Sequence, residues 1–243
     1  MERERMLAAS RTEAAQLAGQ RLSEVIPSRR DFAQYVGTQK QGLAVIARIG
    51  TLPGMPIAQL VAHARACDDA DVAALAVVTG AAGRPLADLA AVADSTTAPI
   101  LRDDLIVSPR QLYHARLHGA DAAIFPAADI DHAALHALVS VASSLHMASV
   151  VEVLSPADRA AALDLPHALI GIRCLDTSGR LDFSRTLELA QQVPAQRTVI
   201  CLPEVRSSAE CARLRGAVDA VVVGEALAAT DDVAGVLQEL LAN

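Results

Sequence analysis

The stretch from Pro99 to Ala122, PILRDDLIVSPRQLYHARLHGADA, holds one structural period of the chain. It opens on a short apolar run, Pro99–Leu101, followed by the charged residues Arg102, Asp103 and Asp104. An amphipathic stretch then runs from Pro109 to His118, opened by Ser108-Pro109, and a second apolar run, Ala122–Phe125, follows it. Apolar runs of this length read as buried strands, and Ser-Pro is an ordinary helix start. The stretch is therefore strand, loop, helix, strand. Two strands joined through a helix lie parallel, with a right-handed crossover.

The same period recurs on both sides. Further apolar runs lie at Leu43–Ile49, Ala73–Val78, Ser149–Val153, Leu169–Ile172, Val199–Leu202 and Ala220–Val223. Helical patterns stand between them, among them Ile57–Ala70, Asp131–Leu145, Pro156–Leu163 and Phe183–Gln192. Eight strand-helix units favour a closed (β/α)₈ TIM barrel over a doubly wound sheet, which five or six units would suit. Residues 1–40 precede the first strand and are rich in helix formers through Tyr35, which predicts an extra N-terminal helix capping the barrel. Residues 1–243 show no linker and no boundary, so a single barrel domain is expected.

Composition supports this and excludes other classes. Apolar residues make up 52% and aromatic residues 2%, so the core is built from Ala, Val, Leu and Ile, as suits strands buried on both faces. The net charge of −7 and the lack of a basic tract argue against a nucleic-acid partner. The apolar runs are too short for a membrane span, and the charged start MERERMLAAS does not resemble a signal peptide. Cys67, Cys174, Cys201 and Cys211 are scattered, without metal spacing, which predicts reduced thiols in a cytoplasmic protein with no metal and no cofactor. His132 and His136 share a helix face, but no acidic ligands accompany them. Lys40 is the only lysine in the chain.

In a barrel of this kind chemistry sits at the C-terminal ends of the strands. The residues there are Arg48 to Gly50, Arg102 to Asp104, Glu152, Arg173 to Asp176, Pro203-Glu204 and Gly224-Glu225.

Several of these lie in segments that resemble, in order and spacing, the indole-3-glycerol phosphate synthase family. The segments are RRDF at 29–32, VIARIG at 45–50, the Pro99–Ala122 stretch, VVEVLSPADRAAAL at 150–163, IGIRCLD at 170–176 and VVVGEAL at 221–227. The resemblance covers nearly the whole chain. It implies a carbon–carbon lyase that closes an indole ring by acid–base chemistry, with loss of carbon dioxide and water. It also implies a role in tryptophan biosynthesis and a protein partner from that pathway.

The residues that would carry this chemistry are mostly different here. The family's first-strand Glu falls on Arg48 and its following lysine on Gly50; the lysine acid of LRKDF falls on Asp103 and the aromatic after it on Leu105. The sixth-strand Asn falls on Arg173, and the seventh-strand Glu-Ser-Gly on Leu202-Pro203-Glu204. Among the six principal positions only Glu152 matches. Gly224 keeps the eighth-strand half of a phosphate site, whereas Pro203 has no N–H to offer and Glu204 would repel a phosphate.

The expectation is a divergent barrel. Glu152, Asp103 and Asp104 are its candidate catalytic acids and bases. Arg48, Arg102, Arg173 and Gly224 are its candidate ligand-binding groups, and a small anion is the expected ligand. The alternatives are an ion-paired, non-catalytic member with a structural or partner-binding role, and retained synthase activity.

Overall fold

Eight parallel strands close into one barrel in sequence order. They are β1 (Ala44–Ile49), β2 (Ala74–Val78), β3 (Ile100–Leu105), β4 (Ala122–Pro126), β5 (Ala148–Val153), β6 (Leu169–Ile172), β7 (Val199–Glu204) and β8 (Ala220–Val223). Two helices precede them, α1 (Glu2–Leu17) and α2 (Phe32–Gly37). The strands are linked through α3 (Ile57–Asp69), α4 (Leu86–Ala93), α5 (Pro109–Leu117), α6 (His132–Ser144), α7 (Pro156–Leu163), α8 (Phe183–Ala190) and α9 (Ser208–Leu214). The chain ends in α10 (Glu225–Ala228) and α11 (Val233–Leu241). This computed structural model describes residues 2–19, 25–37, 42–52, 54–80, 84–228 and 230–242; Lys40 lies outside them.

The helix starts follow the polar residues that open them. Asp131, Ser155, Asp182, Ser207 and Asp232 each accept a backbone N–H of the first turn that would otherwise lack a partner. At α5 the side chain of Gln111 reaches back instead, accepting from the backbone N–H groups of Val107 and Ser108. Among the described residues no helix is long and apolar enough to cross a membrane.

Alternation along each strand sorts the side chains into two cores. Ala44, Ile46, Ala74, Ala76, Leu101, Ile124, Val150, Leu169, Ile200 and Val222 fill the barrel interior. Val45, Ala47, Leu75, Val77, Val151 and Val221 pack outward against the helices. The interior is tight enough to dictate a glycine. A Cβ on Gly171 would lie 2.8 Å from both Leu202 Cδ1 and Val150 Cγ1.

The third and seventh strands run beyond the ends expected for them. The third strand does not stop at Leu101: it continues to Leu105, so Arg102, Asp103 and Asp104 lie within β3. The pairing with β4 steps from Arg102↔Ala123 to Leu105↔Ile124, a bulge that keeps the charged residues in the sheet. A matching step between Cys201 and Glu204 places Pro203 in a β7 bulge, where its missing N–H costs no ladder bond.

The expected N-terminal helix is present as α1, a second short helix, α2, follows it, and the two serve opposite ends of the barrel. α2 closes the N-terminal end, with Phe32 and Val36 buried in the interior core. Beside it, buried Asp121 accepts from Ser28, Arg30, Arg116 and the backbone N–H of Ile100. That assigns Arg116 a structural place. α1 lies across the C-terminal mouth.

Candidate active site at the barrel mouth

Inward-facing positions at the strand ends bring Arg48, Asp103, Glu152, Arg173 and Glu204 together, and α1 adds Arg3. Arg48 Nε donates to Asp103 Oδ2 at 2.6 Å, its Nη1 to Glu204 Oε1 at 3.2 Å, and its Nη2 to the Leu202 carbonyl at 3.4 Å. Arg173 Nε donates to Glu152 Oε1 at 2.6 Å, while its Nη2 lies 4.0 Å from Asp103 Oδ1. Arg3 reaches Glu152 Oε2 through Nε at 2.9 Å and Nη2 at 2.7 Å, and also pairs with Asp129. The result is a chain of alternating charge, Glu204–Arg48–Asp103–Arg173–Glu152–Arg3–Asp129.

Burial alone would push Arg48 toward losing its proton, but the charges of Asp103 and Glu204 outweigh it and raise its pKa. All three of its guanidinium nitrogens are used. Arg173 is different, because its Nη2 is buried and has no hydrogen-bond acceptor among the described residues. A cavity of about 320 Å³ opens beside it, with Arg180 and Arg206 at the rim. A larger groove of about 700 Å³ lies at the other end, lined in part by Ser28, Phe32, His136, His146 and His167. The mouth holds the converging charges, and in this fold it is the end where chemistry occurs, so it is the better candidate despite its size.

Glu204 also alters the position where a phosphate would bind. Its Oε2 accepts from the backbone N–H of Glu225, the first residue of α10, at 3.2 Å. A Cβ on Gly224 would collide with the same carboxylate. The Glu225 N–H after the eighth strand thus already holds an anion supplied by the seventh. Gly50, at the family's lysine position, has φ 81°, and a Cβ there would meet Arg84 Cδ at 2.8 Å. A lysine on this backbone would be strained.

Arg102 and Asp104 do not join this network. They point to the outer face of β3, where Arg102, 1% exposed, donates to Thr79 at 3.1 Å, to Asp104 at 2.9 Å and to Glu13 of α1 at 2.6 Å. Gln111 ties in through Ser10 and Glu13. The cluster anchors the second half of α1. The two carboxylates compete for one cation, and burial decides between them. Desolvation raises Asp104 to about 6 against the pull of Arg102. Burial would raise Glu13 too, but the charge of Arg102 holds it below the ordinary glutamate range.

Because the folded-state pKa of Asp104 lies above its unfolded value, its stabilising contribution is complete below about pH 4 and is lost as the pH rises through about 6. Asp104→Asn removes that contribution. The stability of wild type minus that of the variant should therefore grow by roughly 1–3 kcal/mol on acidification from pH 7 to pH 4, measured by urea unfolding. A difference that stays flat would place Asp104 in an ordinary, fully paired environment.

Cys174 and Cys201 pack in the outer core, away from the mouth. Burial pushes the Cys201 thiol up to about 12, which makes it a poor nucleophile. The rings of His132 and His136 pack edge to face at 4.5 Å. Sequence reasoning missed Arg3, Glu13, Asp129, Arg180 and Arg206. Arg3 and Glu13 carry no local signal, since their roles follow from where α1 lies.

Residues 1–240 match the indole-3-glycerol phosphate synthase family. The chain is 38% identical over 154 residues to the indole-3-glycerol phosphate synthase of Acidithiobacillus ferrooxidans, a match covering 63% of this chain and 59% of that protein. It is 39% identical over 140 residues to that of Aromatoleum aromaticum, covering 55% and 52%. The match to the enzyme of Dehalococcoides mccartyi is 35% over 145 residues, covering 59% and 56%. The chain thus spans somewhat over half the length of these relatives. Among solved structures, 3-hexulose-6-phosphate synthase from Salmonella typhimurium superposes with a TM-score of 0.65 at 15% identity, over 82% of this chain and 96% of that one, a likeness of fold. With the family match extending through α1, the barrel and α11, this chain belongs to the indole-3-glycerol phosphate synthase family.

Proposed function

We propose that this chain binds a small anion, a carboxylate or phosphate ester, on the Arg173 side of its mouth. We propose also that it does not close the indole ring by the family's lysine-acid route. Arg173 is the observation that carries this reading. Its Nε is fixed on Glu152, yet its Nη2 is buried without an acceptor, an arrangement that costs stability unless something else takes the bond. Arg180 and Arg206 stand at the rim of the adjoining cavity, 58% and 47% exposed, in surface pairs with Glu210 and Glu225. Such pairs contribute little and are readily exchanged for a ligand. Guanidinium groups suit carboxylate and phosphate oxygens by two-point hydrogen bonding.

The ring-closing route lacks its proton donor. Among the described residues no lysine lines the mouth cavity, and both oxygens of Glu152 accept from guanidinium groups. Should catalysis accompany binding, it would be carboxy-lyase-like, with Glu152 as the acid or base once Arg3 has moved aside.

A thermal-shift series with phosphate and small carboxylates tests the binding. Saturation to one hundred times the dissociation constant should stabilise the fold by about 2.7 kcal/mol. Arg173→Ala should abolish the response. It should cost only about 1.5–3 kcal/mol of stability, the range for one charged hydrogen bond, because Glu152 keeps Arg3. The saturated bonding of Arg48 favours a second reading, a mouth held shut by ion pairs that binds nothing. An unresponsive wild type with a strongly destabilised Arg173→Ala would establish that reading instead.

A further inference from the structure

The contact between α1 and the mouth is unequal at its two ends. The second half of the helix is anchored by Glu13 on buried Arg102 and Gln111, and by Ser10 on Gln111. In the first turn Arg3 donates to Glu152 from both Nε and Nη2 and pairs with Asp129. Glu152 is fully buried, and Asp129 comes from the connection after β4. Glu4, Arg5 and Ala8 are exposed, and Met6 and Leu7 are the buried apolar residues nearby. The end of α1 that covers the mouth is therefore kept there by two carboxylates converging on one guanidinium, together with the buried Met6 and Leu7.

We propose that Glu152 and Asp129 form a cation subsite in which Arg3 is the chain's own stand-in for a small guanidinium or amine ligand. In this view α1 is the strap that such a ligand releases. Arg3 lines the same cavity as Arg173, so a ligand entering there meets both. A cationic group displaces Arg3 from Glu152 and Asp129. An acidic group on the same molecule reaches Arg173. The class of ligand is then zwitterionic, an amino acid or a close relative. The cation subsite stands on its own geometry; only the acidic end of the ligand rests on the anion binding proposed above.

Three probes on the full chain separate the two. Agmatine carries a guanidinium and no carboxylate, L-arginine carries both, and inorganic phosphate is an anion alone. Agmatine and L-arginine should raise the melting temperature of the wild type. Arg3→Ala should bind agmatine about tenfold or more tightly, since an internal competitor reduces apparent affinity by the fraction of sites it occupies. Asp129→Asn should bind it about tenfold or more weakly. Agmatine should also speed tryptic cleavage after Arg5 and Arg11 in the wild type, because a released helix unfolds locally.

If Arg3→Ala does not fold, Arg3→Gln and the wild-type cleavage assay give the same decision. Agmatine that binds no more tightly to Arg3→Ala than to wild type, or that leaves cleavage of α1 unchanged, overturns the proposal. A response to phosphate without one to agmatine or L-arginine also overturns it and leaves the anion site standing. A response to agmatine without one to phosphate supports the strap and removes the anion site.

Discussion

Purified protein given 1-(2-carboxyphenylamino)-1-deoxyribulose 5-phosphate is expected to form no measurable indole-3-glycerol phosphate. Loss of one positioned acid costs about 10²–10⁴-fold, and here the position that would hold it is Asp103, already accepting from Arg48 at 2.6 Å. Arginine does not replace lysine as an acid, because it does not release a proton near neutral pH. Two further features act in the same direction. Glu204 takes the Glu225 N–H that would serve a phosphate, and Arg3 covers Glu152. Reintroducing Lys at 103 should therefore restore little. Its ammonium would face Arg48 and Arg173, and a second lysine at Gly50 would be strained by the backbone and by Arg84. Fluorescence turnover within about tenfold of an ordinary family member would refute the expectation, as would complementation of a tryptophan auxotroph.

The fold was legible because strand burial is written locally. Each of the eight apolar runs overlaps one observed strand, and Ser155, Asp131 and their counterparts mark helix starts through hydrogen bonds made within four residues. The end of β3 was not legible, since a strand carrying Arg102, Asp103 and Asp104 in succession breaks the apolar pattern. Only the bulge and two separate polar clusters make that sequence tolerable inside a sheet. The site was legible in part for the same reason. Alternation predicts that Arg48, Asp103, Glu152 and Arg173 share a face, and they do. It equally places Arg102 and Asp104 on the other face, which a reading by nearness in sequence to Asp103 overlooks. Arg3 and Asp129 were out of reach because Arg3 meets its two partners, Glu152 and Asp129, across 149 and 126 residues of chain, and Asp129 lies in the connection after β4.

Replacing Arg48 by Met should lower the stability of the fold by about 3–5 kcal/mol, the cost of leaving buried charge without its partner. Met keeps most of the apolar stem, so the loss reports the guanidinium rather than a cavity. Asp103 and Glu204 both depend on it. Among the described residues Asp103 would retain only Arg173 at 4.0 Å, and Glu204 only the Glu225 N–H. The orphaned carboxylates would bind protons more readily in the folded variant than in its unfolded chain. The penalty should therefore shrink as the pH falls and the two groups are neutralised. Adding Asp103→Asn removes one of the stranded charges and should recover about 1–3 kcal/mol, so the two substitutions should be strongly non-additive in a double-mutant cycle. Chemical denaturation at pH 7 and pH 4.5, on the wild type, both single variants and the pair, supplies every term. A loss below about 1 kcal/mol, independent of pH, would mean that the Arg48 contacts are no stronger than a surface salt bridge. In that case the alternating chain of charge would not be what holds the mouth together.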